Sequence, residues 1–334
     1  MAATTRTTGT TGTTGTVDDM TRHAIGEDRL ARAGQDIRAH VRDQAYELSR
    51  QGITLRGLRE LGEALIDHLA ARFGPGSARD KHVDDVLHTA AECYLGVLSV
   101  GCFPDGDQEI RFPLTFDRLC TFDSDDFTDV SRAPDAGDWL DAFAVCVVSG
   151  RFWDWQRAHG LVMRGDYAKE LRTGVPYSRY TPEARPAELA AMDALCPYLT
   201  ESAGHQPRHW PTVPLRKPDP AERAEAARAL DAAAGDLTPD HRLLRVLLDD
   251  DQPAFEDALA ARLAAYPDEL GDDPAPRTLL PMTALALAGL AVQVHGWELT
   301  VRSPYLPPAL LGSTDAIRRA AEENVNTLGG WVAR

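Results

Sequence analysis

Carboxylates and histidines at short spacing are the residues of this 334-residue chain that could do chemistry, and each grouping also has a plainer reading. Asp85, His88 and Glu92 recur at i, i+3 and i+7, which on a helix sets three possible metal ligands on one face. That would suit a metal-dependent hydrolase, yet acids and histidine at helical spacing also make ordinary solvated faces. His205 and His209 stand four apart, but Pro207 breaks the helix that would align them. Asp249-Asp250-Asp251 lacks the alternation, the central glycine and the twelfth-position glutamate of a calcium loop. Asp123, Asp125 and Asp126 could act as paired carboxylates in a hydrolase, or simply form a solvated acidic loop. Neither a G-x-S-x-G elbow nor a glycine-rich phosphate loop is present, so Gly101, Gly106, Gly150 and Gly160 read as punctuation. No catalytic residue, cofactor or metal is expected.

Aromatic residues give a further lead. Trp139, Phe143, Phe152, Trp153 and Trp155 flank the turn Ser149-Gly150-Arg151 and read as core, whereas Tyr180 and Trp210 fall in loops where they could anchor a partner.

Charge says more about partners. The formal net charge is -16. Two windows, 104–136 and 241–275, each hold nine acids against three arginines, so together they carry -12 of it. Such surfaces repel nucleic acid and anionic membrane and steer basic partners inward, unless they serve solubility alone. The most apolar stretch, Pro281–His295, has about fourteen uncharged residues where a spanning helix needs roughly twenty, and reads as the most buried helix. Five cysteines without a C-x-x-C pair, and no export signal, point to a reducing cytoplasm.

The elements that would position these residues are helices. Ile37, Val41, Ala45 and Leu48 form one apolar stripe, and Leu58, Leu61, Leu65 and Leu69 the next. Further helices are predicted over about 82–100, 136–148, 152–163 and 186–202. The second half adds 220–234, 239–248, 253–266, 281–295 and 315–328. Asp219-Pro220-Ala221-Glu222 and Thr238-Pro239 are cap-and-proline starts. His241–Leu248 and Phe255–Tyr266 form an αα-hairpin across the Asp249–Asp251 turn, with Phe255, Leu259 and Leu263 facing Leu244 and Leu247. The expected fold is all-α: stacked helical hairpins, tetratricopeptide-like without a strict repeat, with at most one small β-hairpin near 103–114. Residues 1–19, a Thr/Gly leader expected to be disordered, fall outside the fold, and Met20 offers a second start. The domain is expected over 20–334, with the proline-rich 206–220 as the candidate internal boundary.

Seven blocks resemble the immunity protein 49 family of bacteria, actinobacteria among them. They are TAAECYLGVLSVGCFP (89–104), DWLDAFAVCVVSG (138–150), GVPYSRY (174–180), MDALCPYLTE (192–201), WPTVPLRKPD (210–219), RLLRVLLDDDQPAFEDAL (242–259) and HGWEL (295–299). The resemblance implies a cytoplasmic antidote that binds a cognate polymorphic toxin domain and blocks its active site, and it brings no catalytic residues. Many such toxin domains are nucleases with basic clefts, which an acidic cap would suit. The expected toxin contacts are Asp123, Asp125, Asp126, Asp249, Asp250 and Asp251, and reversing Asp250 and Asp251 to lysine is expected to weaken binding without unfolding the chain. A helical scaffold for a housekeeping partner and a metal-dependent hydrolase built on Asp85, His88 and Glu92 are the alternatives. Oligomeric state is open.

Overall fold

The computed structural model describes residues 21–74, 76–103, 108–115, 117–123, 127–129, 133–154, 171–172, 185–201, 211–233 and 237–328. The Thr/Gly leader, most of the 206–220 segment's first half, His205, His209, Trp155, Tyr180 and Trp210 lie outside these residues. So does 155–163 of the helix expected over 152–163.

The described residues hold twelve α-helices: α1 (Glu27–Ala33), α2 (Ile37–Gln51), α3 (Leu55–Arg72), α4 (Lys81–Cys102), α5 (Ala136–Ser149), α6 (Arg151–Asp154), α7 (Pro186–Leu195), α8 (Pro220–Ala232), α9 (Pro239–Leu248), α10 (Gln252–Ala265), α11 (Met282–Gln293) and α12 (Ala316–Leu328). Seven of their starts follow one rule. A side-chain oxygen accepts an orphan N–H of the first turn: Asp36 for α2, Thr54 for α3, Asp80 for α4, Asp135 for α5, Asp219 for α8, Thr238 for α9 and Asp251 for α10. Asp219 with Glu222 and Thr238 with His241 form the capping boxes that their sequences announce. No repeat recurs among the described helices, whose lengths run from 4 to 22 residues.

The fold is mostly helical rather than all-α. Gln108–Phe112 (β2) pairs antiparallel with Arg118–Phe122 (β3), so the hairpin extends past the expected 114. Ile110, Phe112, Cys120 and Phe122 point inward, and β2 packs on α4. Ile53–Thr54 (β1) makes a second, parallel pairing with Phe127–Asp129 (β4). A two-residue strand has no periodicity to detect, which is why the sequence concealed it.

One apolar cluster runs from Ile25 to Leu311. At its centre α5 packs on α4, α7 and α11. As the sequence predicts, α11 is enclosed, with every residue from Ala284 to Gln293 buried. Phe255, Leu259 and Leu263 of α10 are fully buried beside Leu244 and Leu247 of α9. Gly101 is more than punctuation, since a Cβ there would lie 2.2 Å from Pro134 Cγ where the approach to α5 crosses the end of α4.

The C-terminus of α5 collects the most polar bonds. Gly150 takes φ +74, a left-handed position that glycine fills without steric cost and that turns the chain into α6. Arg79 donates to Val148 O at 3.1 Å and to Ser149 O at 2.6 Å. His88 Nε2 reaches Ser149 O at 3.2 Å, and Arg151 pairs with Glu92 of α4 at 2.5 Å with both side chains at or below 5% exposure. Lys81 holds Asp85 at 2.9 Å. Asp85, His88 and Glu92 therefore serve three different partners and do not converge as ligands. Trp139, Phe143 and Phe152 stack as core, as expected.

A buried ion pair is destabilising to break and not to replace. Arg151→Ala, which removes the buried cation paired with Glu92, is expected to cost about 3–5 kcal/mol in urea unfolding. The double variant Glu92→Leu with Arg151→Met is expected to recover most of that loss.

Candidate functional site

Of the six carboxylates singled out from the sequence, four lie in described residues. Asp123 is exposed just after β3, while Asp125 and Asp126 fall outside. The other three build the turn between α9 and α10. Asp249 pairs with Arg245 at 2.6 Å, and Asp251 caps α10 by accepting Ala254 N at 3.2 Å. Asp250 sits at φ +60 and gathers Lys217 at 2.7 Å, Arg223 at 3.1 Å and His295 Nδ1 at 2.8 Å. Burial works against its charge, but the bonds from Lys217 and His295 win and hold the carboxyl below the usual range. In the reversal of Asp250 and Asp251 to lysine, the lysine at 250 would face Lys217 and Arg223, so that variant bears on stability as well as on binding.

His295 links that turn to the core. Its other nitrogen, Nε2, lies 2.8 Å from the Tyr198 hydroxyl, and burial drives the imidazole down to about 4 so that it stays neutral. Aspartate, histidine and a hydroxyl in line resemble a nucleophile relay. Here Tyr198 is fully buried, so no substrate reaches the hydroxyl and the line acts as a structural pin.

A different set of acids faces an open cleft of about 570 Å³ between α5, α7, α9 and α10. Capping places Asp135 and Asp138 at the first turn of α5, and the helical repeat adds Asp141 one turn on. Glu188 of α7, Asp240 of α9 and Glu269 complete six carboxylates, against Arg185 and Arg262 on the same walls. Most are paired: Arg59 with Asp138 at 2.8 Å, Arg185 with Glu188 at 2.9 Å, and Arg262 with Asp240 at 2.6 Å and Glu269 at 3.1 Å. Asp141 makes no hydrogen bond or ion pair among the described residues. It also borders a second hollow of about 250 Å³ with Glu63, Tyr94, Tyr266 and Arg277.

Asp141 is exposed to solvent where it lines the cleft. Desolvation by the surrounding protein, reinforced by Asp138, Asp135 and Glu63 and opposed by Arg59, raises its carboxyl toward about 7, and its exposure to water moderates that rise. Burial likewise raises Glu188 against the pull of Arg185, and lowers His241 against Asp240. The cleft thus presents concentrated, partly titratable negative charge and suits a cationic partner group. Among the described residues no set of three or more His, Cys, Asp or Glu is arranged to hold a metal, and no helix is long and apolar enough to cross a membrane. Linear charge density could not find this cleft, since its acids are spread from 135 to 269. The one usable signal was the Asp135, Asp138, Asp141 spacing.

In comparison with known proteins, the family model described as Immunity protein 49 matches residues 78–310. No curated protein and no solved structure matches. The matched stretch contains every residue of the larger cleft and the whole Asp250 network. It excludes α1 to α3, although α3 packs along the length of α4.

Two outcomes follow from these geometries. Asp250→Ala, which removes the acceptor of Lys217, Arg223 and His295, is expected to destabilise by about 3 kcal/mol in urea unfolding. For Asp141 the folded value of about 7 lies above the ordinary carboxylate value, so the folded state binds more protons in between. Its contribution is therefore full below about 4 and is lost as pH rises to about 7. Asp141→Asn is expected to flatten the fall in thermal midpoint over that window and to raise the midpoint at pH 8.

Proposed function

The chain belongs to the immunity protein 49 family, and on that ground we propose that it binds a cognate polymorphic toxin domain in the cytoplasm and neutralises it by placing an acidic surface over a basic active site. Family membership is the observation that carries this reading. Proteins of the family are immunity proteins of polymorphic toxin systems and typically act by binding rather than catalysis.

The acidic-cap reading draws support from the distribution of charge. Asp123, Asp125, Asp126 and Asp249 to Asp251 remain proposed contacts, and the cleft around Asp141 joins them. Asp249 is half exposed beside Arg245, whereas Asp250 is already offset by Lys217 and Arg223 and would add less attraction. Asp141 is the cleft carboxylate whose charge nothing nearby neutralises directly. A toxin that hydrolyses nucleic acid needs cations for the phosphate backbone, and those cations would find a competing array of carboxylates here.

Expression of the chain should rescue cells from one particular toxin domain, identified by tagged pull-down from the source strain with a salt series. Raising salt from low to about 0.5 M is expected to weaken the complex tenfold or more, chiefly through a slower on-rate. Asp141→Asn is expected to slow association about two- to fivefold with little change in dissociation. Failure to protect against any toxin encoded beside it would sink the immunity reading. Protection with binding indifferent to both salt and Asp141→Asn would keep immunity and remove the acidic cap.

A further inference from the structure

The hydrogen bonds around His23 are all satisfied by one neutral tautomer of its ring. The backbone N–H of His23 donates to the Tyr305 hydroxyl oxygen at 2.7 Å. Tyr305 Oη also lies 2.7 Å from His23 Nδ1, and its own hydrogen is the one left to fill that contact, so Nδ1 accepts. On the other side Thr278 Oγ1 donates to Ala275 O at 2.7 Å, which leaves the oxygen to accept from His23 Nε2–H at 2.8 Å. The neutral ring with its hydrogen on Nε2 satisfies every one of these contacts with Tyr305 both accepting and donating. Arg22 adds bonds from Nε to Pro304 O at 2.8 Å and from a terminal nitrogen to Phe73 O at 2.9 Å. Two residues thus fasten the start of the described chain to segments some 50, 255 and 282 positions away.

We infer that His23 is an acid-opened latch: residues 22–25 stay clasped to the 275–278 and 304–305 segments while its ring is neutral, and come free when Nδ1 is protonated. A proton on Nδ1 would set N–H against O–H, and the fully buried Tyr305 would have to turn its hydrogen away from that acceptor. The groups facing the ring offer the imidazolium no counter-charge. They are Arg22 on its own segment, Tyr305 stacked at 5.7 Å, and Tyr266 edge-on at 6.4 Å from the turn after α10, behind which Arg262 lies paired with Asp240 and Glu269. From the 276–279 turn the facing group is the uncharged Thr278. Burial first, and Arg22 second, hold the ring below the ordinary histidine value. The latched form accordingly binds fewer protons than the open form. Its stability is full above about 6.5 and declines as pH falls below that toward the latched-state value.

Hydrogen exchange of the full chain, read by mass spectrometry at pH 5.5, 6.5 and 7.5 after correction for intrinsic rates, tests this. Peptides covering 21–33 and 300–311 are expected to open by up to about tenfold per pH unit below about 6.5, while peptides from α11 stay unchanged. His23→Gln can bond on both sides but takes no proton, and is expected to remove the pH response. Protection that ignores pH in the unmodified chain, or the same response in His23→Gln, would overturn the latch. If the variant is open at every pH, the NMR titration of His23 Cε1–H in the unmodified chain decides. A midpoint below that of free histidine upholds the latch, and one at or above it refutes it.

Discussion

The last turn of α5 is the constraint on which the rest of this protein depends. A helix that ends in the middle of an apolar core leaves carbonyls that water cannot reach, and each costs on the order of 1–3 kcal/mol if left unpaired. Arg79 and His88 supply the donors, and Gly150 turns the backbone so that Arg151 can enter the core. Arg151 then needs Glu92, which fixes α4 against α6. One local requirement thereby ties together α4, α5, α6 and the segment before α4. It also consumes two of the residues whose spacing suggested a metal site.

Acidic residues in this chain do two kinds of work, and the linear sequence does not separate them. Asp36, Asp80, Asp135, Asp219 and Asp251 spend their carboxylates on backbone N–H groups at helix starts. Asp250 spends its charge on two cations and a neutral histidine. What remains for a partner is a smaller set, found where one helix face brings carboxylates together faster than arginines can neutralise them. A net charge of -16 therefore overstates the attraction any single surface can exert.

Much of the helical framework was legible because amphipathic stripes and caps are local signals. Ile37, Val41, Ala45 and Leu48 are buried at the spacing that announced them, and Asp219 and Thr238 start the helices their motifs marked. The partner strand Arg118–Phe122 was missed because a hairpin's second strand is defined by its register with the first, and the β1–β4 pair joins residues more than seventy positions apart. The cleft was illegible for a similar reason. Asp141, Glu188 and Asp240 become neighbours only when α5, α7 and α9 pack. The Asp249–Asp251 run was conspicuous because it is contiguous, and contiguity is what a tight αα turn with a following N-cap demands.

If the cleft receives a basic partner as proposed, its acids couple stability to recognition. Carboxylates crowded on one face repel, and the free chain offsets that repulsion with Arg59, Arg185 and Arg262, while the raised carboxyl of Asp141 eases it further. A cation arriving from a partner would relieve the same repulsion, displace the proton and add attraction, so the strain carried by the free protein becomes part of the driving force for the complex. Filling the cleft with neutral residues would make a more stable protein with less to offer a basic partner. Under the proposed acidic-cap reading, tight capture and stability would make opposite demands on these few positions.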